Sequence, residues 1–255
     1  MQAIEAFESA TFPRAFLWPA SGTQFLPVSG RITDRLLVTY RASAAQLAAL
    51  VPPPFRLDVH GGSGFLSVCA VEILGMGIAG TPRALRFDNR EFLYRVAVRY
   101  QGEPTFLTLR SDVSSRALAF LGRHFSHYRP RLGSVQLLRE RKRVRIECAS
   151  SDGSGDAVID VDSEAPITNH SSVFSDSEQA TAFLLGMTFS ADAVDGRVRV
   201  QPIEHSPWKP RFVQARVARF AFLEQLERTL GVSFSYDCTL ATRDIRQIWK
   251  AARWI

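Results

Sequence analysis

Lysine is nearly missing from this chain: only Lys142, Lys209 and Lys250 stand beside an abundance of arginine in a total of 31 basic residues. Arginine cannot take over amine chemistry, because a guanidinium stays protonated and non-nucleophilic. Cysteine is scarce as well. Cys69, Cys148 and Cys238 are odd in number, widely spaced and set in apolar strand-like contexts, which excludes a disulfide framework and predicts reduced, buried thiols in a cytoplasmic protein. No apolar run reaches membrane-spanning length, so no membrane partner is expected. Met1 to Ala10 carries Glu5 and Glu8 and lacks the basic and apolar regions of a secretory signal. Linker-like enrichment in Pro, Gly, Ser and charge is also absent, which favours one domain over residues 1–255.

What is present is the composition of a globular protein, with an apolar fraction of 46% and a formal charge of +6. The densest basic run is Arg139, Arg141, Lys142, Arg143 and Arg145. Val144 and Ile146 alternate with Arg143 and Arg145, the period-2 pattern of a strand with one wet face, so the run reads as a solvated strand and no nucleic-acid partner is expected.

Strand patterns recur at Leu36 to Arg41, Phe65 to Ile73, Glu91 to Tyr100, Thr105 to Leu109, Ser134 to Leu138, Arg141 to Ala149, Ala157 to Val161, Arg197 to Ile203, Phe212 to Val217 and Val232 to Leu240. Ser150 to Asp156 reads as a hairpin loop, and Asp195-Gly196 as a tight turn. Helices are predicted from Ser43 to Leu50, after Ser114 or Ser115, from a Ser175/Glu178 capping box to Leu185, over Phe222 to Leu230, and from Asp244 to Trp254 with Ile245, Ile248, Trp249 and Ala252 on one face. Many strands with a few dispersed helices predict an α+β, mainly antiparallel β fold.

Several motifs carry chemistry in principle. Gly75 to Gly80 matches G-x-G-x-x-G, but Thr81-Pro82-Arg83 follows where a helix would have to begin, so it reads as a loop over a pocket mouth and no cofactor is expected. His124 and His127 are three apart, yet no third ligand has matching spacing, so no metal is expected. Gly61-Gly62-Ser63-Gly64 is not a nucleophile elbow. Glu91 and Arg95 lie an even number apart on one strand and so emerge on the same face; with Arg110 they form a candidate pocket set, either a structural charge pair or a substrate-orienting one. His205-Ser206-Pro207-Trp208 offers an imidazole against an indole, with Trp208 as a core plug the competing reading.

The segment Gly122-Arg123-His124-Phe125-Ser126-His127-Tyr128-Arg129-Pro130-Arg131-Leu132-Gly133 resembles the active-site segment of acetoacetate decarboxylases, Gly-Arg-Glu, three residues, then Tyr-Pro-Lys-Lys-Leu-Gly. Tyr40-Arg41, Val51-Pro52, Leu57-Asp58 and the strand from Glu91 are similar to the same family, and the likeness is clearest from Thr33 to Val135. The nearer resemblance is to the uncharacterised, domain-of-unknown-function branch of the acetoacetate decarboxylase-like superfamily, which shares Glu91 with Arg95 and His205 with Trp208. It implies a closed cone or barrel of antiparallel strands around an apolar cavity, peripheral helices and homo-oligomerisation. The Schiff-base lysine of those enzymes falls on Pro130 and the next lysine on Arg131, so the imine mechanism is lost. A second family glutamate has only Glu72, several residues late, and the family's arginine before the first strand falls near Thr33, between Arg31 and Arg35.

Two functions follow as expectations. One is an enzyme acting on a small carbonyl or carboxylate compound, with Glu91 or His205 moving a proton and Arg95, Arg110, Tyr128, Arg131 and Trp208 binding substrate. The other is a non-catalytic protein that binds an apolar ligand with an acidic head.

Overall fold

A computed structural model describes residues 26–125, 130–141, 143–162, 171–194 and 197–255. The expectations for Met1 to Ala10, His127, Tyr128, Lys142, Asp195-Gly196 and the His124 side chain fall outside the described residues. Fifteen strands and four α-helices are described. The first half holds β1 (Val28–Ser43), α1 (Ala44–Ala48), β2 (Arg56–Leu57), β3 (Val59–His60), β4 (Ser63–Ile78), β5 (Phe87–Tyr100), β6 (Glu103–Val113) and α2 (Arg116–Phe125). The second half holds β7 (Arg131–Glu140), β8 (Arg143–Ser150), β9 (Ala157–Asp162), α3 (Ser177–Leu185), β10 (Phe189–Val194) and β11 (Arg197–His205). The chain closes with β12 (Arg211–Phe212), β13 (Gln214–Phe220), α4 (Ala221–Leu230), β14 (Ser235–Trp249) and β15 (Arg253–Trp254).

The strands pair in the order β10-β11-β14-β1-β4-β5-β6-β7-β8-β9-β13, antiparallel throughout except for the short β6–β7 pair that the α2 crossover joins. This is the predicted α+β, mainly antiparallel architecture. Among the described residues the expected closure into a ring is not made: the path ends at β10 on one side and β13 on the other. The β7-β8-β9-β13 arm instead covers the central strands, and one core holds Leu36, Leu66, Phe92 and Tyr94 against Ile146, Ile159, Phe220 and Phe222. Layer packing buries these apolar faces without a closed ladder. The opposite face of the central strands carries a second core, in which Leu37, Phe65 and Ile245 meet Phe174 and Leu184.

Three local expectations are corrected. Asp244 to Trp254 is not a helix: β14 continues to Trp249, paired to β1 from Val28 and to β11 from Ile203. Burial alternates along it, Ile245 and Gln247 inside and Arg246 exposed, so strand pairing on both sides overrides a helical period. Gly75 is no loop but a bulge within β4, where φ is 61° and its N–H reaches Asp88 at 2.8 Å. The helix-capping pair is shifted by one residue: Asp176 accepts from the Gln179 N–H at 2.8 Å, and Gln179 Oε1 accepts from Ser175 N–H at 2.8 Å. The cysteines are free and buried as predicted, with burial pushing the Cys148 thiol up to about 12.

Candidate functional site

Two β-bulges decide which side chains meet. In β1 the register against β4 shifts between Ile32 and Asp34, and this extra residue turns Arg35 toward the face that carries Leu37 and Cys69. In β6 the register shifts so that Tyr94 faces Arg110 while Arg95 faces Thr108, leaving Leu109 as the additional residue. Without that bulge Arg110 would share the face of Thr108 and Arg95. With it, Arg110 joins Tyr94 on the opposite side.

The first face gathers Glu91, Arg95, Arg35, Ser111 and Trp208. Glu91 is buried, and Ser111 Oγ donates to its Oε1 at 2.9 Å. Burial pushes the Glu91 carboxyl up to about 7, against the hydrogen bond from Ser111 and the opposing pull of the Arg95 and Arg35 guanidinium charges. Arg35 donates from Nη2 to Gln247 Oε1 at 2.9 Å. Burial and the neighbouring Arg95 lower Arg35 to about 10, which leaves it charged at neutral pH. Arg95 lies over the Phe106 ring at 4.5 Å, and its Nε and Nη2, like Nε of Arg35, are buried with no hydrogen-bond partner among the described residues.

Trp208 holds the outer end of this set. The Arg35 guanidinium sits 5.1 Å from its ring centre, and the His205 imidazole stacks on it at 4.1 Å. His205 is exposed and its Nδ1 lies 3.0 Å from the Ser206 carbonyl. Both sequence readings of the motif are present at once: an imidazole on an indole, and an indole packed on the second core.

Arg110 and Arg131 are placed elsewhere. Arg110 forks onto Asp112 at 2.6 and 2.9 Å and also reaches Ser154 at 2.7 Å. Asp152 bridges the two arginines, at 3.4 Å from Arg110 and 2.7 Å from Arg131. Against some desolvation, the exposed Asp152 is held well below the usual carboxylate range by hydrogen bonds from Ser154 and by the two guanidinium charges. The candidate set of Glu91, Arg95 and Arg110 is thus split between two faces, with Arg131 on the side of Arg110. Pro130 is buried. It stands two residues before Leu132, which pairs with Val113 beside Glu91.

Glu72 forms a third group, taking Arg90 at 2.9 Å and Arg139 at 2.7 Å. The basic run on β7 and β8 is likewise occupied by acids, Arg145 with Glu147 and Asp160, Arg143 with Asp162. Among the described residues no cluster of three or more His, Cys, Asp or Glu could hold a metal ion, and no helix is long and apolar enough to cross a membrane.

Residues 30–238 match the DUF2071 family, described as an uncharacterized conserved protein. The chain belongs to the DUF2071 family. No curated protein sequence matches it. Among solved structures, acetoacetate decarboxylase from Legionella pneumophila is similar with a TM-score of 0.62 and 14% identity, over 98% of this chain and 95% of that one. The enduracididine biosynthesis enzyme MppR complexed with pyruvate superposes with a TM-score of 0.60 and 12% identity, over 94% and 92% of the two chains. An acetoacetate decarboxylase-like enzyme from Sphingomonas wittichii RW1 gives 0.57 and 15%, over 94% and 98%. This DUF2071 protein therefore has the acetoacetate decarboxylase-like fold.

The sequence reading missed Ser111 and Gln247 and left Arg35 without a role. Arg35 had a signal, its place just before the Leu36 strand. Ser111 and Gln247 had none, since each becomes relevant only through strand pairing.

Proposed function

We propose that this protein is an enzyme that moves a proton on a small carbonyl or carboxylate compound without a covalent imine. The observation that carries the reading is the buried Glu91 carboxyl, raised to about 7 between two arginines with unpaired buried N–H groups. Unpaired buried donors cost roughly 1–3 kcal/mol each, and an anionic ligand offsets that cost. A carboxyl near neutrality exchanges protons efficiently at physiological pH. A site built only to bind would not need one, which favours the enzyme over the non-catalytic binder.

In the proposed reaction Arg95 and Arg35 hold the carboxylate of an oxo acid and face its carbonyl oxygen. Glu91, ionised, takes a proton from the carbon next to the carbonyl. The C–H electron pair moves onto the carbonyl oxygen as an enolate, which the guanidinium charge stabilises. Return of the proton to a different atom makes an isomerase; departure of a leaving group from the enolate makes a lyase. Trp208, with His205 stacked outside it, forms the wall on the solvent side.

The test is deuterium exchange at C3 of 2-oxobutanoate in D2O, followed by proton NMR. Wild-type protein should wash deuterium in faster than buffer, and Glu91→Gln should not. Equal exchange by the two proteins sinks the reading.

A further inference from the structure

A second cleft opens against the other face of the central strands and meets Arg35 and Trp208 of the first face at one end. There Leu36 of β1 is flanked in cross-strand register by Ala70 of β4 and Ala241 of β14. Opposed sheet layers sit roughly 10 Å apart and fill the gap with large side chains. Two alanines in one row leave it open, and a cleft of about 290 Å³ results, roofed by Leu137, Val144 and Ile146 of the covering arm. Its volume suits one short alkyl chain better than a two-chain lipid.

The mouth of this cleft is cationic. Arg211, Arg243, Lys209 and Asp34 border it. Asp34 is already engaged by Arg243 at 2.8 Å and by Arg139. Lys209 and Arg211 are exposed, and neither forms an ion pair among the described residues. An apolar slot beneath unpaired positive charge is complementary to an anionic amphiphile. We infer that the cleft binds a single-chain carboxylate, with its alkyl tail between the layers and its head at Lys209 and Arg211. Arg35 and Trp208 border one end of the cleft. The cleft thus abuts the Glu91 set, and a Glu91 variant tests which of the two holds the ligand.

Calorimetry on the full chain with hexanoate, octanoate, decanoate and decanamide tests the inference. Affinity should rise roughly threefold to fourfold per methylene, and decanoate should bind more tightly than decanamide. Val144→Phe, filling the slot from a half-buried position, should weaken decanoate by at least about tenfold; Leu137→Phe serves if that variant does not fold. Lys209→Glu with Arg211→Glu should weaken decanoate and spare decanamide, and Glu91→Gln should change neither. Affinity independent of chain length, or indifferent to both slot-filling variants, overturns the inference. So does a loss in Glu91→Gln as large as that in Val144→Phe, which would place the ligand in the Glu91 site.

Discussion

Ser111 on β6 gives its hydroxyl proton to Glu91 Oε1 on β5 at 2.9 Å, two residues along from a bulge that sends Arg110 to the far side of the same sheet. One strand thus serves two charge systems. Ser111 supports a carboxyl that titrates near neutrality, while Arg110 neutralises an aspartate that is wholly buried.

Stability should depend on Glu91 protonation. Folding raises its pKa from 4.5 to about 7, so the associated stability is complete below about 4.5 and is lost as pH rises through 7. Between pH 5 and 8 the wild type should lose about 2–3 kcal/mol relative to Glu91→Gln. Urea unfolding of both proteins at the two pH values checks this; parallel profiles would contradict it.

Anion binding should draw in protons. A carboxylate beside Arg35 and Arg95 cancels part of the positive field that now holds Glu91 down, so its pKa rises and protons are taken up at pH 7. Titration of 2-oxobutanoate by calorimetry in neutral buffers of different ionisation enthalpy reads the sign. Proton release would count against the arrangement.

Borohydride treatment in the presence of small keto acids should leave the intact mass unchanged. Lys250 is half-buried and paired with Glu204 at 2.9 Å, and Lys209 lies at the mouth of the other cleft. A mass increment mapped to any lysine would restore imine chemistry and remove the non-covalent reading.

The Arg110–Asp112 fork should matter far more than the surface pairs. Asp112→Ala leaves a buried guanidinium without its main partner and should cost about 3–5 kcal/mol. Arg143→Ala loses a 3.6 Å contact to Asp162 at a position 80% exposed and should cost less than about 1 kcal/mol. Equal midpoints in denaturant would show that the fork contributes nothing special.

Much of this was legible in the chain. The alternation along Phe92, Tyr94, Val96 and Val98 placed that strand and, by parity, put Glu91 and Arg95 on one face. The Pro130 substitution was visible by resemblance alone. Face assignments across bulges were not legible, because an extra residue at Thr33 or Leu109 reverses parity without altering composition. That is why Arg35 lacked a role and Arg110 was grouped with Glu91. The end of β14 was misread because Ile245, Ile248 and Trp249 fit a helical face, while the pairing with β1 and β11 that makes it a strand comes from segments far away in sequence.

The titration of Glu91 itself tests the central claim most directly. Protein labelled with ¹³C at the glutamate carboxyl carbon, with Glu91→Gln to assign the signal, reports the midpoint by NMR. The structure predicts a midpoint near 7 that moves upward when 2-oxobutanoate binds. A midpoint near 4.5, unmoved by the ligand, would mean that Glu91 is an ordinary carboxylate and that proton transfer resides elsewhere.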